Sequence, residues 1–296
     1  MQHTEQERNS WIKLSVILSF IFLFIILNIT GGDVDFAINK DNSNMILMLK
    51  LAQAVLVVFL FILPAFLFSI FWTNSKVHYL GITKKPLFGT LIIGSLGMLP
   101  ALPMINFLAE INQNLHLPVV LSGVENWMRT SEHKATQLTE AFTQGTSVGT
   151  LILNLIVIAL LAALSEELFF RGMLQKVLIE CFKNKHIAIW FGAALFSAFH
   201  MQFLGFLPRM VMGAFLGYLF LWSGSLWPSI LAHFLNNGAA VFLIWLANRE
   251  VISKDIDKMG TEANQLVYVV ISCIAVIGSL YLVYKIEQKN RAVKML

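Results

Sequence analysis

Val148–Arg171 reads VGTLILNLIVIALLAALSEELFFR, and its two ends ask for different solvents. Val148–Ser165 carries no charged side chain and approaches the ~20 residues that a helix needs to cross hydrocarbon. The run then enters Glu166-Glu167, with Arg171 four positions beyond, and no turn residue intervenes. A charge inside a bilayer is costly unless it finds a partner or lines a polar cavity. This stretch therefore describes a membrane helix that carries part of a polar site.

The rest of the chain agrees with a membrane solvent. Of 296 residues, 57% are hydrophobic and 13% charged, roughly half the charged share of a soluble domain. Eight apolar runs are read, at 11–30, 45–72, 88–108, 148–170, 187–204, 208–222, 226–247 and 265–284. The expected fold class is all-α, a polytopic integral membrane protein with about eight transmembrane helices. The first run is too long for a signal peptide, and Gly31-Gly32-Asp33 is a weak cleavage site, so it reads as a retained anchor. Three parts are expected: 1–147 with the N-terminal helices and an external loop, 148–247 as a catalytic core, and 248–296 with the last helix and a basic tail.

Lys and Arg set the expected orientation. Arg8, Lys13, Lys76, Lys84, Lys85, Arg171, Lys176, Lys183, Lys185 and the tail cations fall on one side, thirteen in all, against seven on the other. Among the seven are Lys40, Arg209, Lys254 and Lys258. Both termini are thus expected in the cytoplasm, with 109–147 outside. In that loop Ser122 and Glu125 have the form of a capping box, and Val124, Trp127 and Met128 fall at helical spacing to meet a membrane surface. The net charge of +4 argues for anionic lipid as the neighbour and gives no sign of nucleic acid. Cys181 and Cys273 stand far apart and read as inert thiols. Gly213 and Gly217 form a G-x-x-x-G that suits a close helix contact.

Three motifs carry the chemistry. They are Glu166-Glu167…Arg171, Phe196…His200, and His233…Asn237, each in a different predicted span. A turn near Lys183-Asn184-Lys185 puts Glu166 eighteen residues before it and His200 sixteen after, so both lie ~25 Å from its tip. His233, nine residues past the Ser223-Gly224-Ser225 turn, can meet them at one depth. Arg171 shares a helix face with Glu167 and can hold it ionised, which leaves Glu166 free for general-base work. His200 can orient a water. His233 and Asn237, four apart, can present two donors to an oxyanion. Glu166, His200 and His233 are also a zinc ligand set with a position open for water, although no H-E-x-x-H is present.

On these motifs the chain resembles the type II CAAX prenyl endopeptidase and bacteriocin-processing family, also called Abi or CPBP proteins, over about 148–247. The resemblance implies Glu166 as base, His200 as its helper, His233 and Asn237 at the oxyanion, and Glu167 with Arg171 in support. The family is described both as glutamate-dependent and as metalloproteases, so it requires no cofactor of this sequence and leaves a divalent metal such as zinc open. The implied activity is intramembrane hydrolysis of a peptide or protein substrate, prenylated in the family's eukaryotic members. The expected cavity is reached from the cytoplasmic side. Two rivals are a non-catalytic immunity or scaffold protein of the same fold and a proton-coupled transporter. The transporter predicts repeats with broken helices, and no repeat is visible.

Overall fold

In hydrocarbon the backbone can bond only to itself, so each apolar run closes into a helix. The computed structural model describes residues 2–30, 42–72, 77–253 and 259–294, and these contain helices and turns but no strand. Gly31-Gly32-Asp33, Lys40, Lys76, Lys254 and Lys258 lie outside the described residues. In chain order the helices are α1 (Gln2–Thr30), α2 (Ser43–Trp72), α3 (Phe88–Gln113), α4 (Ser122–Thr143), α5 (Val148–Phe182), α6 (Lys185–Phe199), α7 (Phe206–Ser223), α8 (Trp227–Asn248) and α9 (Leu266–Lys294). Among the described residues six are long and apolar enough to span a membrane, and two shorter apolar helices, Asn9–Phe24 and Lys185–Phe199, complete the eight apolar runs.

Two expectations for the α4 segment change. Ser122 is already helical and does not cap; Glu125 instead accepts from the backbone N–H of Leu117 at 2.9 Å and from Arg129. Val124 is exposed, but Trp127 packs on Phe203 with ring centroids 5.3 Å apart, so it faces the protein.

The α5–α6 turn falls where expected. Lys183 takes a left-handed φ of 53°, and the Asn184 side chain caps α6 by accepting from His186 N and Ile187 N. The glycine pair does bring α6 and α7 together. A Cβ on Gly213 would stand 3.1 Å from that of Ala193, and one on Gly217 2.9 Å from Ile189. The same glycines offer their carbonyls to α5, where Arg171 donates to Gly213 O and Gln175 to Gly217 O, both at 3.0 Å. At the next turn, Leu226 N donates to Gly81 O and Ser225 Oγ to Lys84 O, which ties α7–α8 to the segment before α3.

These contacts sort the chain onto two faces. One holds the start of α1, residues 77–87, the turns at 183–184 and 224–226, and the end of α9, where Arg291 donates to Trp222 O. The opposite face holds α4, residues 200–205 and the end of α8, joined by Glu132 accepting from Leu204 N and by Asn248 donating to Thr143 O.

Candidate active site

The three motifs meet. Glu166 Oε2 lies 3.8 Å from Nε2 of His200 and 3.8 Å from Nε2 of His233. Each histidine has its other nitrogen pinned. His200 Nδ1 is 2.8 Å from Phe196 O, four residues back on α6, and His233 Nδ1 is 2.9 Å from Glu167 Oε1. A carbonyl or carboxylate oxygen can only accept, so Nδ1 carries the proton in both neutral rings and each Nε2 turns a lone pair toward Glu166.

Beneath Glu166 is a closed floor. Glu167 has no exposed surface, and its Oε1 accepts from Arg171 at 2.7 Å as well as from His233. Arg171 spends a second donor on Gly213 O and lies over the Phe196 ring, 4.6 Å from its centroid. Phe196 also touches the rings of His200 and His233, at 4.9 and 5.9 Å. One phenyl thus packs against all three cationic or imidazole groups, which is a physical reason for an aromatic residue four positions before His200. The shared face of Glu167 and Arg171 is as their four-residue spacing predicts. It missed that α5 opens into wider π turns at Leu155–Leu161 and Leu168–Leu174, on both sides of the two glutamates. Such turns reset helical phase and recur at functional sites.

Above Glu166 is a cavity of about 490 Å³. Glu166, His200, His233 and Asn237 all line it, whereas Glu167 and Arg171 do not. Asn237 Oδ1 accepts from Asn236 Nδ2 at 3.3 Å, so its own amide N–H groups remain to donate. The cavity walls include Thr139 and Thr143 of α4, Gln202 and Arg209, all from the face opposite the termini. The sequence places access on the cytoplasmic side, with the termini; these polar lining residues come instead from elements of the opposite face. The cause is α6, which the sequence extends to 204 but which ends at Phe199. The chain leaves it through Met201, whose left-handed φ of 55° sends Gln202 into the cavity. Sequence reasoning used Arg209 only as a loop charge and passed over Gln202 and Asn236; an arginine one residue after Pro208, near the start of a span, was the available signal.

The donor types suit zinc but their spacing does not. Zinc bonds of ~2.0–2.1 Å set tetrahedral ligand atoms ~3.4 Å apart, closer than the two 3.8 Å separations here. Among the described residues no group of three or more His, Cys, Asp or Glu is placed to hold a metal. A single water, with hydrogen bonds of ~2.8 Å, does bridge atoms 3.8 Å apart. Among the described residues no donor is hydrogen-bonded to the buried Glu166 Oε2, an oxygen that such a water could satisfy.

Residues 148–239 match the family described as type II CAAX prenyl endopeptidase Rce1-like. The uncharacterized protein YpbD of Bacillus subtilis (strain 168) is 32% identical over 86 residues, covering 28% of this chain and 41% of that protein. The similarity thus spans about two-fifths of that relative's length. No solved structure matches. The matched segment begins at the first residue of α5 and ends just past Asn237, so it takes in all three motifs. Within this multi-pass membrane protein, it is residues 148–239 that are similar to the Rce1-like type II CAAX prenyl endopeptidase family.

Proposed function

We propose that the protein is an intramembrane endopeptidase that cleaves a peptide bond of a membrane-associated substrate with a water activated by Glu166. The observation that carries this reading is the buried Glu166 Oε2, without a hydrogen bond among the described residues, 3.8 Å from Nε2 of both His200 and His233. In the proposed step the water gives one proton to Glu166 and hydrogen-bonds through the other to His200 Nε2. Its oxygen attacks the substrate carbonyl carbon, and the π pair moves onto the carbonyl oxygen. Asn237 donates to that oxyanion. His233 Nε2 can join it only when the ring carries both protons, because the Nδ1 proton is held by Glu167. Collapse re-forms the carbonyl and expels the amine, which takes its proton back from Glu166. Glu167, Arg171 and Phe196 hold His233 in place and do not touch substrate.

Apolar walls from Ile105, Ile158, Met212 and Val241 suit a peptide with apolar side chains or an attached lipid. On the positive-inside count the termini are cytoplasmic and the cavity mouth then opens on the other side. Labelling of single cysteines at Val120 and Lys183 with a membrane-impermeant reagent tests that orientation.

The test of function is cleavage of a fluorogenic C-terminal peptide library by the protein in liposomes, with and without chelator. Cleavage that survives chelation and vanishes in Glu166→Gln supports the mechanism. Cleavage retained in Glu166→Gln overturns it. Loss with chelator and recovery with zinc would make Glu166, His200 and His233 ligands. No cleavage in any arm favours an immunity or scaffold role.

A further inference from the structure

A second cavity, of about 690 Å³, is lined by residues of α6, α7 and α9. Two of them are cations from the face that carries the termini, Lys185 in the first turn of α6 and Arg291 in the last turn of α9. None of the lining residues is acidic. Among the described residues Lys185 makes no hydrogen bond or ion pair with its side chain. Arg291 donates once, from Nη2 to Trp222 O at 2.7 Å, which leaves the other N–H groups of its guanidinium. Two cations with spare donors and no carboxylate in the same wall are a site for an anion.

The rest of the wall says which kind of anion. Along α9 it runs from Ile277 and Leu280 through Tyr281 and Tyr284 to Gln288 and Arg291, one stripe at helical spacing. Over these fourteen residues the stripe climbs ~21 Å and passes from apolar through phenolic to amide and guanidinium. Ile277 is 66% exposed and meets hydrocarbon in a membrane, whereas Arg291 belongs to the face that carries the termini. Apolar, then phenolic, then cationic is the order that an acyl chain, its ester and a phosphate would match from mid-bilayer outward. A soluble anion would use only the outer end. The phenolic level is ready to bond. Tyr284 Oη accepts from Gln288 Nε2, so its own O–H is left to donate. The rings of Tyr218, Trp222 and Tyr284 pack in series, with centroids 5.2 and 5.3 Å apart, which fixes this level before a ligand arrives.

We infer that the cavity binds one anionic phospholipid, with its phosphate held by Lys185 and Arg291 and an acyl chain along Ile277 and Leu280. On the positive-inside count this is the cytoplasmic leaflet, where anionic lipids are found. A bound lipid would tie α9, outside the matched segment, to α6 and α7 within it. The inference is independent of the peptidase reading, since no residue of the three motifs lines this cavity.

The experiment titrates dioleoyl-phosphatidylglycerol or dioleoyl-phosphatidylcholine into the protein in neutral detergent and reads the melting temperature. The variants are K185Q, K185Q/R291Q and K85Q/K289Q, the last removing equal charge from exposed sites outside the cavity. Wild type should be stabilised saturably by phosphatidylglycerol and much less by phosphatidylcholine. The half-saturating concentration should rise about fivefold in K185Q and about 30-fold in K185Q/R291Q, one factor of about five per cation, and stay put in K85Q/K289Q. Lys185 has no bond to lose, so K185Q decides the matter even where the double variant fails to accumulate. Equal stabilisation by the two lipids, an unchanged midpoint in K185Q, or an equal loss in K85Q/K289Q overturns the inference. The same stabilisation by inorganic phosphate alone also overturns it, in favour of a site for a soluble anion.

Discussion

Glu166 and Glu167 are adjacent in the chain but belong to two different regions, a cavity and the floor beneath it. Glu167 has no exposed surface, and Arg171 and His233 both donate to one of its oxygens. Among the described residues each glutamate keeps one buried oxygen without a hydrogen bond, but that of Glu166 is faced by the Nε2 atoms of His200 and His233 at 3.8 Å. The difference comes from helical phase. Arg171 is four residues after Glu167 and shares its face, whereas Glu166 is turned about 100° away toward α6 and α8. A carboxylate with fixed donors is a structural anion; one without them is left to act on whatever enters.

That contrast is most severely tested by exchanging the effects of the two residues. Glu167→Ala would leave the Arg171 guanidinium buried, 2% exposed, with a backbone carbonyl as its remaining partner. Stripping one partner from such a buried set costs about 3–5 kcal/mol, so the variant should melt far below wild type in detergent or fail to accumulate. Glu166→Gln should keep the wild-type melting temperature and lose the roughly 10²–10⁴-fold that a general base supplies. If Glu166→Gln were the unstable variant and Glu167→Ala the inactive, folded one, cavity and floor would have been assigned the wrong way round.

A smaller test concerns the link between cavity and floor. Met201 holds a left-handed φ of 55° directly after His200, a conformation that costs a side-chain-bearing residue about 1–2 kcal/mol. Met201→Gly relieves that strain but adds freedom to the unfolded chain, so stability should rise by about 1 kcal/mol or less. Turnover should fall at the same time, because His200 is no longer held at the helix end. A rise in both would show that the strain serves no positioning role.

Much of this arrangement was legible in the residues. Glu167 with Arg171, the depth match of Glu166, His200 and His233, and the Gly213–Gly217 contact all follow from the 3.6-residue period and the turn residues around Lys183 and Gly224. Period and turn chemistry do not report where a helix stops inside an apolar run. Phe199 ends α6 although Met201, Phe203 and Leu204 would extend it, so the side from which the cavity opens could not be read. Nor do they report phase resets, which is why the π turns around the glutamates had no visible signal. Arg209 and Lys50 show a third limit. Each is a charge in a span, and the partners that settle its role, Gln202 and Asn154 at 2.7 Å from Lys50 Nζ, lie on a neighbouring loop or a distant helix.

The smallest expected effect carries the same comparison out of the membrane, to a third carboxylate that has fixed donors but lies in reach of water. Glu125 in α4 accepts from His116, Arg129 and the Leu117 backbone, and these bonds, His116 foremost, hold its carboxyl down to about 2 from the usual 4.5. The folded value lies below the unfolded one, so the contribution is present in full above about 4.5 and is lost as pH falls toward about 2. Acid should therefore loosen the start of α4, read as faster exchange of the Leu117 amide between pH 5 and pH 3 than in Glu125→Gln, which has no carboxylate to titrate. If both exchange alike across that interval, donors fix a carboxylate only where water is excluded, and the contrast between Glu166 and Glu167 rests on burial more than on hydrogen bonds.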